Sequence, residues 1–282
     1  MNLVIEQIAD KHGLKLVSAS PLSGGDINDV FLLKCSSESL VLKLNIARRY
    51  PGMFEAEANG LRLLASSESF RIPEVMAHGI HEANSYLLLE FIPKGNQPTD
   101  FWGNFAEKLA RLHRTTAPNF GLKYDNYIGS LPQHNEHRTN AGEFYISQRL
   151  EPQLKMAVDG GFKLGSLHNT LTRIDHTIPK EVPALVHGDL WSGNYLVSDI
   201  GAPVLIDPAV AFAPREMDLA MMQLFGGFPS EVFALYHEHF PLAADWQERV
   251  PLWQLYYLLV HLNLFGSGYL PRVKDILDRY TS

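Results

Sequence analysis

Two carboxylates and one amide near the middle of the chain have the residue types and spacing that phosphoryl transfer requires. Asp189 and Asn194 lie in one polar loop with four residues between them, and Asp207 follows the next apolar run. When a phosphoryl group passes to an alcohol, one carboxylate accepts the hydroxyl proton, while an amide and a second carboxylate hold Mg²⁺ against the phosphates of ATP. We therefore predict that Asp189 is the general base and that Asn194 and Asp207 are Mg²⁺ ligands.

Asp and Asn are also common residues of ordinary loops, so a chance occurrence is the alternative. The combination argues against chance. The apolar run Leu185–Val186 enters the polar loop, a second run leaves it, and Val204–Ile206 leads directly to Asp207. The same order of Asp, Asn and later Asp forms the catalytic loop and metal-binding site in the protein-kinase signature.

A lysine within an apolar run is predicted to bind the same nucleotide. Lys43 lies in the strand-like segment Leu40–Leu44, where its charge needs a partner. In kinases that partner is the α,β-phosphate pair together with a glutamate on the next helix. We choose Glu57, because it shares a helical face with the apolar residues at i+4 and i+7. Glu55 is the alternative, and either acid could instead be a solvated residue of a first helical turn.

Two further segments are candidates for nucleotide contacts. Gly24 and Gly25 lie in a turn between two strand-like segments, where glycine lets backbone N–H groups approach phosphates closely. An ordinary β-hairpin turn is the alternative for this pair. Backbone groups near Glu90 and Ile92 are predicted to meet the adenine ring.

The apolar periodicity predicts an α+β protein of two lobes. Residues 1–94 would form an N-terminal nucleotide-binding lobe, with five antiparallel strands and an inserted helix over residues 53–67. Residues 95–282 would form a larger, mainly helical catalytic and substrate-binding lobe. Its predicted helices cover residues 101–115, 143–158, 167–178, 214–225 and 246–265, the last being the final helix, and residues 118–140 would form a long functional loop.

Several conspicuous polar and aromatic residues are predicted to be structural. Asp218 would be partly buried and would accept hydrogen bonds from backbone amides of the catalytic loop, so it is grouped with His187 as structural support. His113 is interpreted as a packing histidine and not a ligand. The aromatic residues along 246–265 are predicted to belong to the core, namely Tyr256, Tyr257, His261 and Phe265.

Composition excludes several classes of function. The chain has 282 residues, 46% of them hydrophobic, and a formal charge of −7 without a basic run, which argues against nucleic-acid binding. Cys35 is the only cysteine, as expected in a reducing compartment. We see no signal peptide and no membrane-length apolar run, so a cytoplasmic protein is expected.

The sequence resembles the aminoglycoside phosphotransferase superfamily, whose fold is protein-kinase-like, and within it the fructosamine/ketosamine kinase family. Asp207-Pro208-Ala209 stands where protein kinases have Asp-Phe-Gly. The resemblance covers nearly the whole chain and is carried by His187-Gly188-Asp189-Leu190-Trp191-Ser192-Gly193-Asn194, Ile206-Asp207-Pro208-Ala209, Asp125-Asn126-Tyr127-Ile128-Gly129, the helix from Arg215 to Met222, and the segment from Leu262 to Tyr269.

The resemblance implies ATP-dependent phosphorylation of the sugar 3-hydroxyl of a ketosamine, either free or protein-bound. It assigns the base to Asp189, Mg²⁺ to Asn194 and Asp207, and ordering of the phosphates to Lys43 with Glu57. Trp191, beside the base, would face the sugar, although a purely structural tryptophan is the alternative. Asp26 replaces a cysteine that many members carry in the phosphate loop, so thiol-based redox control is not expected.

Three other functions remain open from the sequence. A kinase of an aminoglycoside or an amino alcohol would share the nucleotide apparatus, and a non-catalytic nucleotide-binding scaffold would share the fold. A protein Ser/Thr kinase is disfavoured, because the chain has neither Asp-Phe-Gly nor a later Ala-Pro-Glu. The oligomeric state and the preferred sugar are not predicted.

Overall fold

The computed structural model describes residues 3–22, 27–165 and 167–281, and its first part is built on one antiparallel sheet. The strand order is β1-β2-β3-β5-β4, with every neighbouring pair antiparallel, which confirms the predicted sheet and its inserted helix. The elements are α1 (Leu3–Lys11), β1 (Leu16–Pro21), β2 (Asp29–Cys35), β3 (Ser39–Ile46), α2 (Met53–Ser66), β4 (Val75–His81) and β5 (Asn84–Glu90).

Strand β3 has apolar side chains on both faces because a helix covers each face of the sheet. Leu42 and Leu44 pack with Ile5 and Ile8 of α1 on one face. Side chains alternate along a strand, so Lys43 points to the opposite face. There α2 packs through Phe54 and its neighbours against Leu87 and Leu89 of β5. The alternation therefore directs Lys43 towards α2.

The second part is mainly helical, with three small two-stranded sheets: β6 with β7, β8 with β11, and β9 with β10. Its elements are α3 (Phe101–His113), β6 (Asn126–Ile128), β7 (Leu131–Gln133), α4 (Ala141–Phe144), a π-helical turn (Tyr145–Leu150), α5 (Glu151–Asp159), α6 (His168–Thr177), β8 (Ala184–Val186), a 3₁₀ turn (Ser192–Asn194), β9 (Tyr195–Val197), β10 (Pro203–Leu205), β11 (Ala211–Ala213), α7 (Glu216–Leu224), α8 (Ser230–His239), α9 (Trp246–Phe265), a second 3₁₀ turn (Ser267–Tyr269) and α10 (Leu270–Arg279).

Helix α9 lies at the centre of the helical core. It is apolar on nearly every side, as expected of a helix that other elements surround. Two of its polar side chains bind one carboxylate: Trp253 donates its Nε1–H to Glu216 Oε2 at 2.7 Å, and Arg249 donates two hydrogen bonds to the same group. Because Glu216 begins α7, these bonds fix α7 against α9.

Parts of the helical region differ from the sequence prediction. Residues 118–140 are not one long loop, since they contain the β6–β7 hairpin, which hydrogen bonds among Asn126, Gln133 and Asn135 stabilise. The sequence placed the final helix at residues 246–265, but α10 follows α9 in the structure. The structure also contains α8, which was not predicted. The boundary between residues 94 and 95 stays a prediction. At that point Gly95 donates its N–H to Val197 O of β9 at 3.0 Å.

Across the described ranges, none of the helices combines the length and the hydropathy that a membrane-spanning segment needs.

Candidate active site

The two polar loops that the sequence singled out lie side by side. Strand β8 pairs with β11 and β9 pairs with β10, which places the segments after β8 and after β10 next to each other. Ala209 donates its N–H to His187 O at 2.9 Å, and Ile206 donates to Asn194 O at 3.1 Å. Asp189 and Asp207 are therefore carried by two directly hydrogen-bonded segments.

Gly188 makes this close approach possible. Its φ of 82° lies in the left-handed region, which favours glycine. A Cβ built at this position would lie 2.0 Å from Ala209 O, which is too close for any side chain. The glycine before Asp189 is thus required by the packing of one loop on the other.

Asn194 holds the proposed base in place. Its Nδ2–H group donates to Asp189 O at 2.8 Å and to Asp189 Oδ2 at 3.1 Å. Burial raises the pKa of Asp189 to about 7; the hydrogen bond from Asn194 opposes that rise, while the charges of Asp207 and Asp218 add to it. A carboxyl group with a pKa close to neutral has the proton affinity that a general base needs.

His187 connects the two loops through its ring. Nε2–H donates to Ile206 O at 2.9 Å, and Nδ1 accepts the N–H of Asp189 at 3.3 Å. The ring is fully buried, and burial lowers its pKa, which favours the neutral form that these two bonds require.

Asp218 supports the loop that carries Asp189 through hydrogen bonds to its backbone. Its carboxylate accepts the backbone N–H groups of His187 at 2.7 Å and Gly188 at 2.9 Å. His113 Nε2 lies 3.2 Å from the same carboxylate, and its Nδ1 lies 2.8 Å from the hydroxyl of Tyr236. His113 therefore packs in the interior as a partner of Asp218.

Lys43 lies between two carboxylates. Its Nζ is 2.7 Å from Glu57 Oε1 and 2.5 Å from Asp207 Oδ1. Burial alone would lower the pKa of Lys43, but the two adjacent carboxylates outweigh it and raise that pKa, so the ammonium stays charged. Glu55, the alternative partner, is exposed on the outer face of α2.

The donor set around Asp207 fits a magnesium ion held jointly with a nucleotide. The group formed by Lys43, Glu57 and Asp207 has one more negative than positive charge, and the Asp207 carboxylate is 40% exposed. The amide nitrogen of Asn194 is engaged with Asp189, which leaves its oxygen to act as a ligand. Mg²⁺ commonly takes one or two protein ligands and completes its shell with phosphates and water. Within the described ranges, no group of three or more His, Cys, Asp or Glu side chains is arranged to hold a metal ion.

A cavity of about 600 Å³ brings half of the predicted site residues together. Its lining includes six of them: Lys43, Glu57, Asp189, Trp191, Asn194 and Asp207. His187 and Asp218 lie behind it, in contact with the loop. Gly24 and Gly25 fall outside the described residues.

Glu90 and Ile92 are not part of the lining of this cavity. The Glu90 carboxylate instead pairs with Arg71, with a 2.7 Å distance from its Oε1 to Nη2. The predicted contact between adenine and the backbone near these residues stays a prediction.

Comparison with known proteins shows the family to which this sequence belongs. The sequence model of the fructosamine kinase family matches residues 1–282. The chain belongs to the fructosamine kinase family. It is 39% identical over 270 residues to a probable ketoamine kinase of Enterococcus faecium, covering 92% of this chain and 94% of the relative. It is 35% identical to a second one from Synechocystis, covering 98% and 95%.

Solved structures show that fructosamine kinases and this chain share one fold. A structure from Thermobifida fusca assigned as a fructosamine-3-kinase superposes with a TM-score of 0.88 at 33% identity, covering 99% of both chains. One from Haemophilus somnus gives 0.89 at 28% identity, covering 99% and 97%. The aminoglycoside phosphotransferase APH(4)-Ia gives 0.62 at 16% identity, covering 99% and 98%, which shows likeness of fold alone. The protein is thus a member of a phosphotransferase family, with a kinase-like α+β fold.

In this family member Trp191 lies against the loop that carries Asp189. A Cβ at Gly193 would lie 2.2 Å from the Trp191 ring, so the ring covers that glycine. The side chain is nevertheless well exposed and lines the cavity. These positions are compatible with a ring that supports the loop with one face and meets a ligand with the other.

Sequence reasoning missed the cavity wall formed by α7 and α9. The assignment of the α9 aromatic residues to the core is correct for Tyr256 and Tyr257, although Tyr257 also lines the cavity, and it is wrong for Phe265, which is 57% exposed. Apolar and aromatic residues of α7, α9 and the segments that follow them form much of the lining: Met221, Phe225, Tyr257, Val260, His261, Leu264, Phe265 and Tyr269. A helix that is apolar on every side gives no signal of which side faces a cavity.

Proposed function

We propose that this protein transfers the γ-phosphoryl group of ATP to the 3-hydroxyl of the sugar of a ketosamine. The main support is the convergence of Lys43, Glu57, Asp189, Asn194 and Asp207 on one cavity, in a chain that belongs to the fructosamine kinase family. Phosphoryl transfer needs positioned charges more than covalent catalysis, and this is what these residues offer.

Each residue has a role that follows from its contacts. The ammonium of Lys43, held by Glu57, would bind the nucleotide phosphates, exchanging its contact with Asp207 for them. Asp207 and the amide oxygen of Asn194 would hold Mg²⁺, which when bound neutralises phosphate charge. Asp189 would orient the acceptor hydroxyl and take its proton as the oxygen attacks phosphorus and the bond to ADP breaks. Asn194 and His187 keep Asp189 in position for that step.

The acceptor side of the cavity favours a ketosamine over an aminoglycoside. An aminoglycoside carries several ammonium groups, and binding them requires several carboxylates. The described cavity lining has three carboxylates: Glu57 and Asp207, which lie against Lys43, and Asp189, the proposed base, so none is left over for the ammonium groups of an aminoglycoside. A ketosamine has only one amine at its sugar linkage, and the exposed ring of Trp191 would bind both this cation and the sugar.

The proposal is tested by ADP release with a panel of acceptors at fixed Mg²⁺ and ATP. We expect turnover with fructoselysine or ribulose-lysine, none with kanamycin or choline, and a product phosphorylated at the sugar 3-position by NMR. Turnover of kanamycin alone would replace the proposal by the aminoglycoside alternative. Binding of ATP without turnover of any acceptor would replace it by a nucleotide-binding scaffold.

A further inference from the structure

One buried side-chain atom, in a residue that lines the cavity, has no hydrogen-bond partner. Among the described residues, the hydroxyl of Tyr257 is the only buried side-chain nitrogen or oxygen without one. Buried hydroxyl groups are normally paired, because an unpaired one costs about 1–3 kcal/mol. An orphan of this kind on a cavity wall indicates a ligand that completes it.

The surroundings of Tyr257 fix its position. The residue is 1% exposed and lies in the middle of α9, where its backbone carbonyl accepts Nδ1–H of His261 at 2.7 Å. Its ring packs against that of Tyr256, with centroids 5.1 Å apart. The hydroxyl thus belongs to a rigid helix and not to a mobile loop.

The hydroxyl of Tyr257 is a donor under all ordinary conditions. Burial raises its pKa well above the usual value, and the charges of Asp218, Tyr256 and Asp189 raise it further. A group that stays protonated donates its hydrogen to an acceptor oxygen.

We propose that Tyr257 is a positioning residue of the acceptor site, donating a hydrogen bond to an oxygen of the sugar and so aligning the reactive hydroxyl with Asp189. This inference rests on the proposed function. The phosphates would lie against Lys43 and Asp207, neither of which forms a hydrogen bond or ion pair with Tyr257, so the loss of this hydrogen bond should affect the acceptor and not ATP. The unsatisfied hydroxyl lowers the stability of the free enzyme and is satisfied only when the sugar binds.

Two neighbouring tyrosines offer a matched pair of variants. Tyr256 is equally buried, but its hydroxyl donates to Gln133 Oε1 at 2.7 Å. Y257F should lower kcat/KM for fructoselysine about tenfold, as expected for one lost hydrogen bond, and leave KM for ATP within about twofold. Its thermal midpoint should equal or exceed that of the parent. Y256F should lower the thermal midpoint and leave both kinetic constants unchanged, because it removes a satisfied structural bond.

Acceptor analogues that lack one hydroxyl at a time supply a second measurement. For the parent, kcat/KM should be about tenfold lower with the analogue that lacks the oxygen contacted by Tyr257 than with the full acceptor. For Y257F, kcat/KM should be the same with both acceptors. Such non-additivity is expected only for directly interacting groups.

The inference is overturned if Y257F keeps the parent kcat/KM for fructoselysine, if it loses thermal stability as Y256F does, or if every deoxy analogue behaves additively. Failure of the proposed function looks different, since the parent itself would then turn over no ketosamine. In that case the stability comparison of the two tyrosine variants still tests whether the Tyr257 hydroxyl lacks a partner in the fold.

Discussion

The carboxylate of Asp218 accepts the backbone N–H of His187 at 2.7 Å, which ties α7 to the loop that carries the proposed base. The same carboxylate accepts the N–H of Gly188 and lies against His113. The Asp218 carboxylate, the two N–H groups and the His113 ring are all buried away from water, so they satisfy their hydrogen bonds with one another.

We expect Asp218→Asn to destabilise the fold and to misplace the catalytic loop. The Asn amide nitrogen cannot accept an N–H, so at least one backbone donor loses its partner, at a cost of about 1–3 kcal/mol. Urea unfolding should show this loss, together with a lower kcat. The matched control is Asp199→Asn, at an acid that is 52% exposed and should tolerate the change. Equal stability of the two variants would contradict the supporting role.

Asp189→Asn should separate catalysis from folding. We expect kcat to fall at least ~10²-fold, because the variant cannot take the hydroxyl proton. The folded-state pKa of Asp189, about 7, is above the ordinary value of 3.8, so its carboxyl adds stability at low pH that is lost as pH rises through 7. At pH 8 the neutral Asn avoids this loss, and its thermal midpoint should be no lower than that of the parent.

Measurements of kcat and thermal midpoint on the same preparation test this prediction. Near-parent turnover by Asp189→Asn would remove the residue from the role of base. A large fall in thermal midpoint at pH 8 would show that the ionised carboxylate stabilises the fold.

Asp207→Ala should abolish Mg²⁺-dependent turnover while leaving the fold intact. Lys43 keeps Glu57 as its partner in this variant, so no buried ammonium is left unpaired. The loss of a metal ligand that stabilises transferring charge corresponds to several kcal/mol, or at least ~10²-fold in rate. Titration of activity with Mg²⁺, with EDTA as the metal-free reference, checks the assignment. Asp159→Ala is the control, and a Mg²⁺ dependence of Asp207→Ala identical to that of the parent would refute the ligand role.

Glu57→Gln should weaken the use of ATP, whereas Glu55→Gln should not. The first change removes the carboxylate 2.7 Å from Lys43, and a hydrogen bond to a buried charge is worth about 1.5–3 kcal/mol. We therefore expect KM for ATP to rise about tenfold or more, with KM for the acceptor unchanged. The second change alters an exposed side chain on the same helix. Similar KM values for ATP in the two variants would contradict the pairing of Lys43 with Glu57.

The contact between Lys43 and Glu57 was predicted from the sequence because local periodicity determines it. Strand alternation directs Lys43 towards α2, and helical spacing turns Glu57 to meet it. The spacing of Asp189 and Asn194 is likewise local. The contact of Asp218 with the loop was predicted because a buried carboxylate needs N–H partners and the loop has backbone amides to donate.

The acceptor end was not predicted, because it depends on contacts between distant segments. Tyr127 from the β6–β7 hairpin and Tyr257 from α9 line the same cavity, although no periodicity relates them. The strands of that hairpin are three residues long, too short for an apolar pattern. Helix α10, in contrast, buries Val273, Ile276 and Leu277 at helical spacing, so its signal was present and was overlooked.

The hydrogen bonds between the loop of Asp189 and the segment of Asp207 have a consequence for motion. His187 is bonded to both Ile206 and Ala209, and Asn194 accepts from Ile206, so the two segments must be displaced together. If the sheet-bearing part moves away to admit a nucleotide, the distances from Asp189, the proposed base, to Asn194 and Asp207, the proposed Mg²⁺ ligands, are preserved. The contact that breaks is instead the ion pair between Lys43 of β3 and Asp207. Entry of the triphosphate would then begin with the exchange of one carboxylate for another anion on a single ammonium group.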